Sequence, residues 1–344
     1  MAHEFESGFF VGEKAWHGLG TVLKDPPTIE EALKIAGLDW TVSESPILVP
    51  TGMDFLTLDS EQDQSIVMQG LNADVPFVQM YSHKALVRST DKRVLGIVGK
   101  DFSVIQPANQ MHFFNDIVAD GTASLETAMS LKKGSRIVVT AKIKSAVADV
   151  VAGDPVECYL VAAQGFDGSL CFYVIFSPVR VVCNNTLTLA VNRADNDRDP
   201  CIRLKHTKGI KDALELVRKS IDLNARAFSF TVEQFRSLAG KAINSEKLEK
   251  YVKALTVETP EQKQQPDMLT KLEELPRAYY KIMEAYEDQP GIQYGRGTFW
   301  QAYNAVTHYV DHIRGRTDET RLEASWFGAG KELRDRALGL ALTM

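Results

Sequence analysis

One stretch of the sequence, residues 171–207, joins an apolar strand to polar side chains that cannot fill a core by themselves. It starts with strand-forming residues from Cys171 to Phe176, and Pro178 closes this run. Polar residues come next: Arg180, Asn184, Asn185 and Thr186. Because burying such groups unpaired is costly, they need partners. These partners are either a polar network within the fold or a ligand with many hydrogen-bond acceptors, and the sequence leaves both possibilities open.

Strands are predicted ahead of this stretch, and most of them pair as hairpins. The predicted turns lie at Asp91-Lys92, at Lys133-Gly134 and within 165–168. The strand over 136–144 alternates strictly, so that one face is apolar and the other carries basic residues. A helix is predicted to begin at Pro107 and to end at Gly121.

The rest of the chain is predicted to be mainly helical. A capping-box pattern begins a short helix at Thr28, and a second one is expected to begin a helix at Thr231. Two more helices are expected at about 297–315 and 329–342. Strands followed by helices favour an α+β fold, with an antiparallel hairpin sheet, a packed helix and a helical C-terminal region. We expect three parts: an acidic arm with a small α/β segment (1–83), the sheet core (84–206) and the helical region (207–344).

Charge is distributed unevenly along the chain. The net charge is −6, but residues 1–83 sum to −10, residues 84–222 to +4 and residues 223–344 to zero. A locally basic middle segment is compatible with an anionic ligand, and it is equally compatible with ordinary solvation. The composition, 44% hydrophobic and 24% charged, is typical of a soluble globular protein. No apolar run approaches the roughly 18 residues of a membrane span, so a cytoplasmic protein without a membrane partner is expected.

The basic strands and the polar set together predict a surface for single-stranded nucleic acid. Such surfaces combine cations that follow the phosphates with aromatic faces that stack on bases. Phe102, Phe166 and Tyr173 are the candidates for stacking. The predicted binding residues are Lys132, Lys133, Arg136, Lys142, Lys144, Arg180, Asn184, Asn185, Thr186, Arg203, Lys205 and His206. The alternative is a solvated basic sheet face above core aromatics.

Motifs for other chemistry are weak. His308 and His312 have the spacing of zinc ligands, but Tyr309 stands where the zincin pattern needs glutamate. The sequence around Lys331 lacks the Ser or Thr of a phosphate loop, and no dinucleotide motif or nucleophile elbow is present. We therefore expect no metal, no cofactor and, on balance, no catalysis. The four cysteines form no Cys-x-x-Cys pair and are expected to be buried thiols: Cys158, Cys171, Cys183 and Cys201.

Several blocks of the sequence resemble a known family. The blocks are Ala15-Trp-His-Gly-Leu-Gly-Thr21, Gly99-Lys-Asp-Phe-Ser-Val-Ile-Gln106, Arg180-Val-Val-Cys-Asn-Asn-Thr-Leu187, Lys205-His-Thr207 and Asn304-Ala-Val-Thr307. They are similar to the signatures of the phage/plasmid-like proteins grouped as domain of unknown function 932. This resemblance implies a mobile-element protein of the bacterial cytoplasm. The order of hairpins and helix is also similar to phage single-strand annealing proteins of the Erf and Sak type, which form rings on DNA single strands.

These observations lead to a ranked set of functional hypotheses. The first is a non-catalytic, oligomeric protein that binds single-stranded DNA and promotes annealing or recombination for a phage or plasmid. The second is an enzyme acting on nucleic acid or nucleotides, with Arg180, Asn184, Asn185, His206 and His17 in one pocket. The third is an interaction protein that blocks a host defence.

Overall fold

The computed structural model describes residues 5–12, 20–50, 77–183, 185–186, 201–206, 221–257, 275–315 and 329–344. Its strands are β1 (Phe5–Val11), β2 (Thr21–Leu23), β3 (Val42–Pro50), β4 (Phe77–Arg88), β5 (Val94–Gly99), β6 (Ala123–Leu131), β7 (Arg136–Asp149), β8 (Pro155–Gly165), β9 (Phe172–Arg180), β10 (Asn185–Thr186) and β11 (Cys201–Leu204). Its α-helices are α1 (Ile29–Ile35), α2 (Pro107–His112), α3 (Asn115–Ala119), α4 (Ile221–Gly240), α5 (Ser245–Thr256), α6 (Arg277–Glu287), α7 (Phe299–His308) and α8 (Ala329–Thr343).

The larger sheet is built from consecutive hairpins. Its strand order is β10-β9-β8-β7-β6-β1-β2, and β11 also pairs with β9. Neighbouring strands are antiparallel except for β1 and β2, which run parallel. The turns at Lys133-Gly134 and within 165–168 connect β6 to β7 and β8 to β9, as the sequence predicts. The α+β prediction, with a mainly helical C-terminal region, is confirmed.

The smaller sheet, β3-β4-β5, lies against the end of the larger sheet that carries the turns between β6 and β7 and between β8 and β9. The Ser135 hydroxyl donates to the Leu95 carbonyl at 2.8 Å, so β5 is tied to the turn after β6. Gly96 lies so close to the turn between β8 and β9 that a Cβ there would come within 2.4 Å of the Asp167 Cα. The expected boundary between residues 83 and 84 falls inside β4, and β1 pairs with β6 of the larger sheet.

Helices cover the inner face of the larger sheet. One core cluster includes Phe9 on β1, Ile137 and Val139 on β7, and Ala341 on α8. Helix α7 is buried on every side from Phe299 to Thr307, so the other C-terminal helices pack around it. It continues into a π-helical turn, Tyr309–Ile313. Within the described ranges, no helix is both long and apolar enough to cross a bilayer.

Three local predictions are wrong for physical reasons. The helix expected from Pro107 to Gly121 is two short helices, α2 and α3. Thr231 does not begin a helix, because it lies buried inside α4. On β7 the second face is not simply basic, since Val138 packs there with β6 and β8 residues in a separate apolar cluster. The capping box at Thr28 is confirmed by both of its hydrogen bonds.

Candidate functional site

Arg180, the charge at the centre of residues 171–207, is buried in a polar network within the fold. Its Nε and one terminal nitrogen donate to the two Asp154 oxygens at 2.7 and 2.8 Å. That nitrogen also donates to the Gly291 carbonyl, and the Trp300 indole donates to Asp154 at 2.8 Å. Arg180 is 1% exposed and Asp154 is 0% exposed. Of the two possibilities for Arg180, the structure therefore shows the internal one.

This network corrects the predicted role of Arg180 as a phosphate contact. Its charge is already compensated by Asp154, and the side chain cannot reach solvent. Asn185 and Thr186 form β10, which pairs with the end of β9, and their side chains are not among those described. Asn184 lies outside the described residues.

The basic face predicted on the larger sheet is also mostly neutralised. Arg136 is buried and lies 3.8 Å from an Asp167 oxygen, and it donates to the Ser169 hydroxyl. Lys142 donates to Glu157 at 2.6 Å. Lys144, farther along β7, is exposed. Carboxylates of β8 and of the turn that follows it thus compensate two of the three cations that alternation places on this face.

Glu126 lies beside this Lys142–Glu157 pair at a bulge of β6. Burial raises the pKa of Glu126, and the nearby Glu157 charge raises it further, while the Ser124 hydrogen bond and Lys142 act in the opposite direction. Two carboxyl groups, Glu126 and Glu157, thus lie beside Lys142, so the face around Lys142 is not a continuous cationic surface.

His206 and Lys205 lie together at the other end of β9 from Arg180. The His206 ring stacks on Phe102 with centroids 4.3 Å apart, and its Nδ1 lies 3.0 Å from the Ser103 carbonyl. Because Leu204 pairs with Phe172, Leu204 is roughly 26 Å from Arg180, at about 3.3 Å per residue along β9, and His206 follows two residues beyond this pairing. The single pocket predicted to contain both residues does not form. His17 and residues 207–220 lie outside the described ranges.

Burial lowers the pKa of His206, so its imidazole is neutral at physiological pH. Since a carbonyl only accepts hydrogen bonds, Nδ1 carries the proton and Nε2 carries the lone pair. Nε2 is buried without a hydrogen-bond partner. Phe102 and Ser103, which contact the His206 ring, also line a cavity of about 540 Å³, together with Glu44, Lys84, Lys100, Asp101 and neighbouring residues.

The other aromatic candidates differ in exposure. Phe166 is fully buried and packs on Trp40, so it cannot stack on a base. Tyr173 is half-buried against the second apolar cluster. Arg203 pairs with Tyr173 in the β11 register, but its side chain is not among those described. Of the three aromatic rings, Phe102 alone lines the cavity.

Two neighbouring turns near Arg88 carry three lysines, of which Lys92 and Lys133 are exposed and Lys132 is half-buried. Arg88 donates to Asp91 at 2.6 Å and to Glu6 at 2.9 Å, and its guanidinium lies 5.5 Å from the Trp40 ring. A Cβ at Gly134 would come within 2.6 Å of an Arg88 nitrogen, so the turn between β6 and β7 lies against this residue. We call the two turns, with Lys92 on one and Lys132 and Lys133 on the other, the lysine turns.

Arg88 fixes the charge state of the carboxylates beneath the lysine turns. Its hydrogen bonds hold the pKa of Asp91 far below the usual range. Burial would raise the pKa of Glu6, but hydrogen bonds from Arg88 and Ser130 lower it overall. Both carboxylates are therefore ionised, and their two charges are balanced by Arg88 and by Arg93, which also contacts Asp91.

The lysine turns also have an unusual backbone. Among the described residues, the only non-glycine residues with positive φ are Lys92 (59°), Lys132 (51°) and Lys133 (56°). This left-handed conformation costs an L-residue about 1–2 kcal/mol, and asparagine, aspartate or glycine usually occupy it. Strained backbone of this kind concentrates at functional sites. Two of the predicted binding residues, Lys132 and Lys133, lie in these turns, together with Lys92, which was not predicted.

Sequence reasoning missed Lys84, Lys92 and Lys100. Lys92 lies in a turn that was predicted correctly, but a turn lysine by itself is an ordinary solvated residue. Its importance comes from its neighbours on another strand pair, and no local pattern carries that information. Lys84 and Lys100 adjoin the cavity because Gly99 pairs with His83 across β4 and β5.

The two histidines of α7 do not complete a metal site in the described part of the chain. His308 and His312 have ring centroids 4.7 Å apart. No group of three His, Cys, Asp or Glu side chains is arranged to hold a metal within the described ranges. Cys158 is a buried free thiol, as expected, and burial raises its pKa to about 12; Cys171 is free and half-buried. The side chains of Cys183 and Cys201 are not among those described.

Comparison with known proteins yields one match. A family described as "Domain of unknown function (DUF932)" matches residues 94–326. No curated protein and no solved structure matches the chain significantly.

Proposed function

The chain belongs to this family of unknown function, since the match spans more than half of its length, and from that premise we propose that the protein binds single-stranded DNA without catalysis. In this proposal the protein acts for a phage or plasmid in the bacterial cytoplasm, as a homo-oligomer that promotes annealing and recombination. The binding surface is centred on the lysine turns rather than on the sheet face.

The observation that supports this proposal is the left-handed backbone conformation that the three lysines of these turns share. A strained lysine is a poor choice for a solvated turn, where asparagine or glycine fits without strain. Lys92 and Lys133 are exposed at such positions, and Lys132 is half-buried beside Lys133. These lysines offer a positive surface that can follow phosphates.

The test separates the lysine turns from the sheet face. In the triple variant Lys92→Asn, Lys132→Asn, Lys133→Asn, each asparagine accepts the left-handed backbone, so folding is preserved while three charges are removed. For single strands each lost phosphate contact lowers the salt slope of log K by about 0.7, so the expected decrease is about 2. Fluorescence anisotropy with a labelled oligonucleotide at several salt concentrations measures it.

Two controls accompany this variant. Lys247→Gln with Lys250→Gln removes exposed charges from α5 and should leave binding unchanged. Lys144→Gln removes the exposed cation of the sheet face and should also have little effect. Loss of binding in Lys144→Gln but not in the triple variant would show that the binding site lies on the face of the larger sheet. A wild-type protein with no salt-sensitive preference for single strands over duplex would refute the proposal.

A second candidate function is nucleotide processing at the cavity beside Phe102. The observation that favours it is the neutral His206 imidazole, whose Nε2 has no hydrogen-bond partner and whose ring stacks on Phe102 of the cavity lining. Nuclease and phosphatase assays with and without magnesium test this candidate, with His206→Asn as the comparison. Activity in the wild type that His206→Asn abolishes would support it. Inactivity under all conditions would remove it.

A further inference from the structure

Exposed apolar side chains are concentrated on the smaller sheet. Twelve large hydrophobic side chains are exposed in the described part of the chain, and eight of them lie on β3, β4 and β5. Six of the eight lie on or beside the ribbon where residues 47–50 pair with residues 77–80. We call this ribbon the arm. The six residues are Leu48, Val49, Phe77, Val78, Met80 and Tyr81.

The arm extends past the rest of its sheet. The pairing of β4 with β5 ends at His83 and Gly99, so the arm has two strands only. An irregularity after Pro46 places residues 81–83 of β4 outside the pairing with β3 and separates the arm from the sheet base. A two-stranded ribbon in water is marginally stable unless another surface covers it. The arm is ordered as paired strands although its side chains remain exposed.

One face of the arm is entirely apolar. Side chains alternate along each strand, so the cross-strand pairs Ile47–Met80 and Val49–Val78 share a face. The opposite face carries Leu48, Phe77 and Gln79. Residues 47–50 and 77–82 contain no charged side chain. A surface without cations cannot bind a polyanion or an anionic membrane electrostatically, and a surface without charge does not select a charged protein partner.

From these observations we infer that the arm is the self-association surface of the protein and that its occupant is a second copy of this chain. This inference deepens the proposed function, which requires an oligomer. Interfaces between copies of one chain are more apolar than transient interfaces, and an apolar face can pack on its own symmetry mate. Six large side chains, between 39% and 78% exposed, offer on the order of 500 Å² over the two faces of the arm together, a large share of the roughly 800 Å² per partner in a stable interface.

The test is sedimentation velocity on the full chain over a range of micromolar concentrations. The wild type is expected to self-associate. Val78→Glu with Met80→Glu places two charges on the apolar face and should raise the dissociation constant at least tenfold. Both positions are exposed, so the fold should persist, which far-UV circular dichroism checks. Phe77→Glu, on the opposite face, shows whether one face or both are used.

A matched control places the same charges on exposed hydrophobic residues away from the arm. Val147→Glu with Tyr280→Glu should associate like the wild type. A wild-type protein that is monomeric at 100-fold the protein concentration of the binding assay would overturn the inference. So would an arm variant that associates normally, or a monomeric wild type that floats with neutral lipid vesicles.

The two proposals fail separately. If the arm mediates association, the variant Val78→Glu, Met80→Glu becomes monomeric but still binds a short oligonucleotide in a salt-sensitive way. The lysine-turn triple variant remains oligomeric and loses that binding. If the wild type associates through the arm but binds no DNA, the inference about the arm holds and only the proposed function is refuted.

Discussion

The Asp154 carboxylate accepts hydrogen bonds from two residues that belong to different parts of the fold. Arg180 lies at the end of β9, and Trp300 lies in the first turn of α7. The Arg180 guanidinium also lies 5.3 Å from the Trp300 ring centroid, so the same three groups stabilise each other by charge and by packing. With both charges buried, each depends on its partner for compensation.

Removing the Asp154 charge should therefore be strongly destabilising. Asp154→Asn leaves Arg180 buried without a counter-ion, and we expect the free energy of unfolding to fall by about 3–5 kcal/mol. Urea denaturation measures the change. Glu249→Gln breaks the exposed pair with Lys253 and should cost less than about 1 kcal/mol. Similar losses in the two variants would mean that the Arg180 pair is not a structural element.

His308 gives the protein a predicted pH response. Burial and the nearby His312 lower its pKa to about 4, although Asp288 opposes this shift. The unfolded chain therefore binds more protons than the folded one between pH 6.5 and about 4, and stability should fall as the pH drops through that window. Burial lowers the pKa of His206 as well, so it contributes in the same direction.

Thermal midpoints measured between pH 4 and pH 8 check this response. His308→Gln should flatten the acid side of the profile, because the titrating group is gone. The exposed His83→Gln is the control and should leave the profile unchanged. A profile that keeps its full slope in His308→Gln would show that other groups cause the acid sensitivity.

At the scale of elements, the turn Ile292–Tyr294 connects the helices to the sheet through Gly291. Gly291 has φ of 78°, and a Cβ there would come within 2.5 Å of Val182 and 3.0 Å of Arg180. Gly297 has nearly the same φ, 75°, but its Cβ would meet nothing within 4 Å. Comparing the two positions therefore distinguishes the cost of a left-handed backbone from the cost of a steric clash.

Substituting alanine at both positions tests that separation. Gly297→Ala should cost about 1–2 kcal/mol in the free energy of unfolding, which is the strain of a left-handed L-residue. Gly291→Ala should cost more, because Val182 and Arg180 must also move. Chemical denaturation of the two variants gives the comparison directly. Equal losses would indicate that the contact with Arg180 adjusts without cost.

Two identical capping patterns show why the sequence predicts some elements and not others. Thr28 follows Pro26-Pro27, so no helix can extend ahead of it, and it caps α1 as predicted. Thr231 lies between Phe228 and Phe235, whose helical spacing continues past it, and α4 runs through. Local signals determine an element only where packing agrees with them.

The candidate site depended on contacts that no local pattern contains. Arg180 pairs with a carboxylate 26 positions away, and that carboxylate pairs with an indole 146 positions away. The sequence correctly indicated that Arg180 needs a partner, but it could not identify that partner. It also predicted the turn at Lys133-Gly134, whereas the closeness of Lys92 to it depends on how the two sheets dock.

At the scale of the whole molecule, one core cluster reaches from β1 to α8. Its residues include Ile137 and Leu160 in the larger sheet and Trp300 and Leu338 in the helical region. The Asp154 network adds buried polar contacts across the same junction. A continuous core of this kind favours unfolding as a single cooperative unit, because neither layer can expose its inner face alone without a large loss of apolar burial.

Hydrogen exchange measured by mass spectrometry tests this cooperativity. We expect the slowest amides of β7 and α7 to exchange with the same opening free energy, since both report global unfolding. In Asp154→Asn that free energy should fall by the same amount in both segments. If α7 instead exchanged at lower free energy than β7 in the wild type, the helical region would open by itself. The buried pair would then join two units of unequal stability.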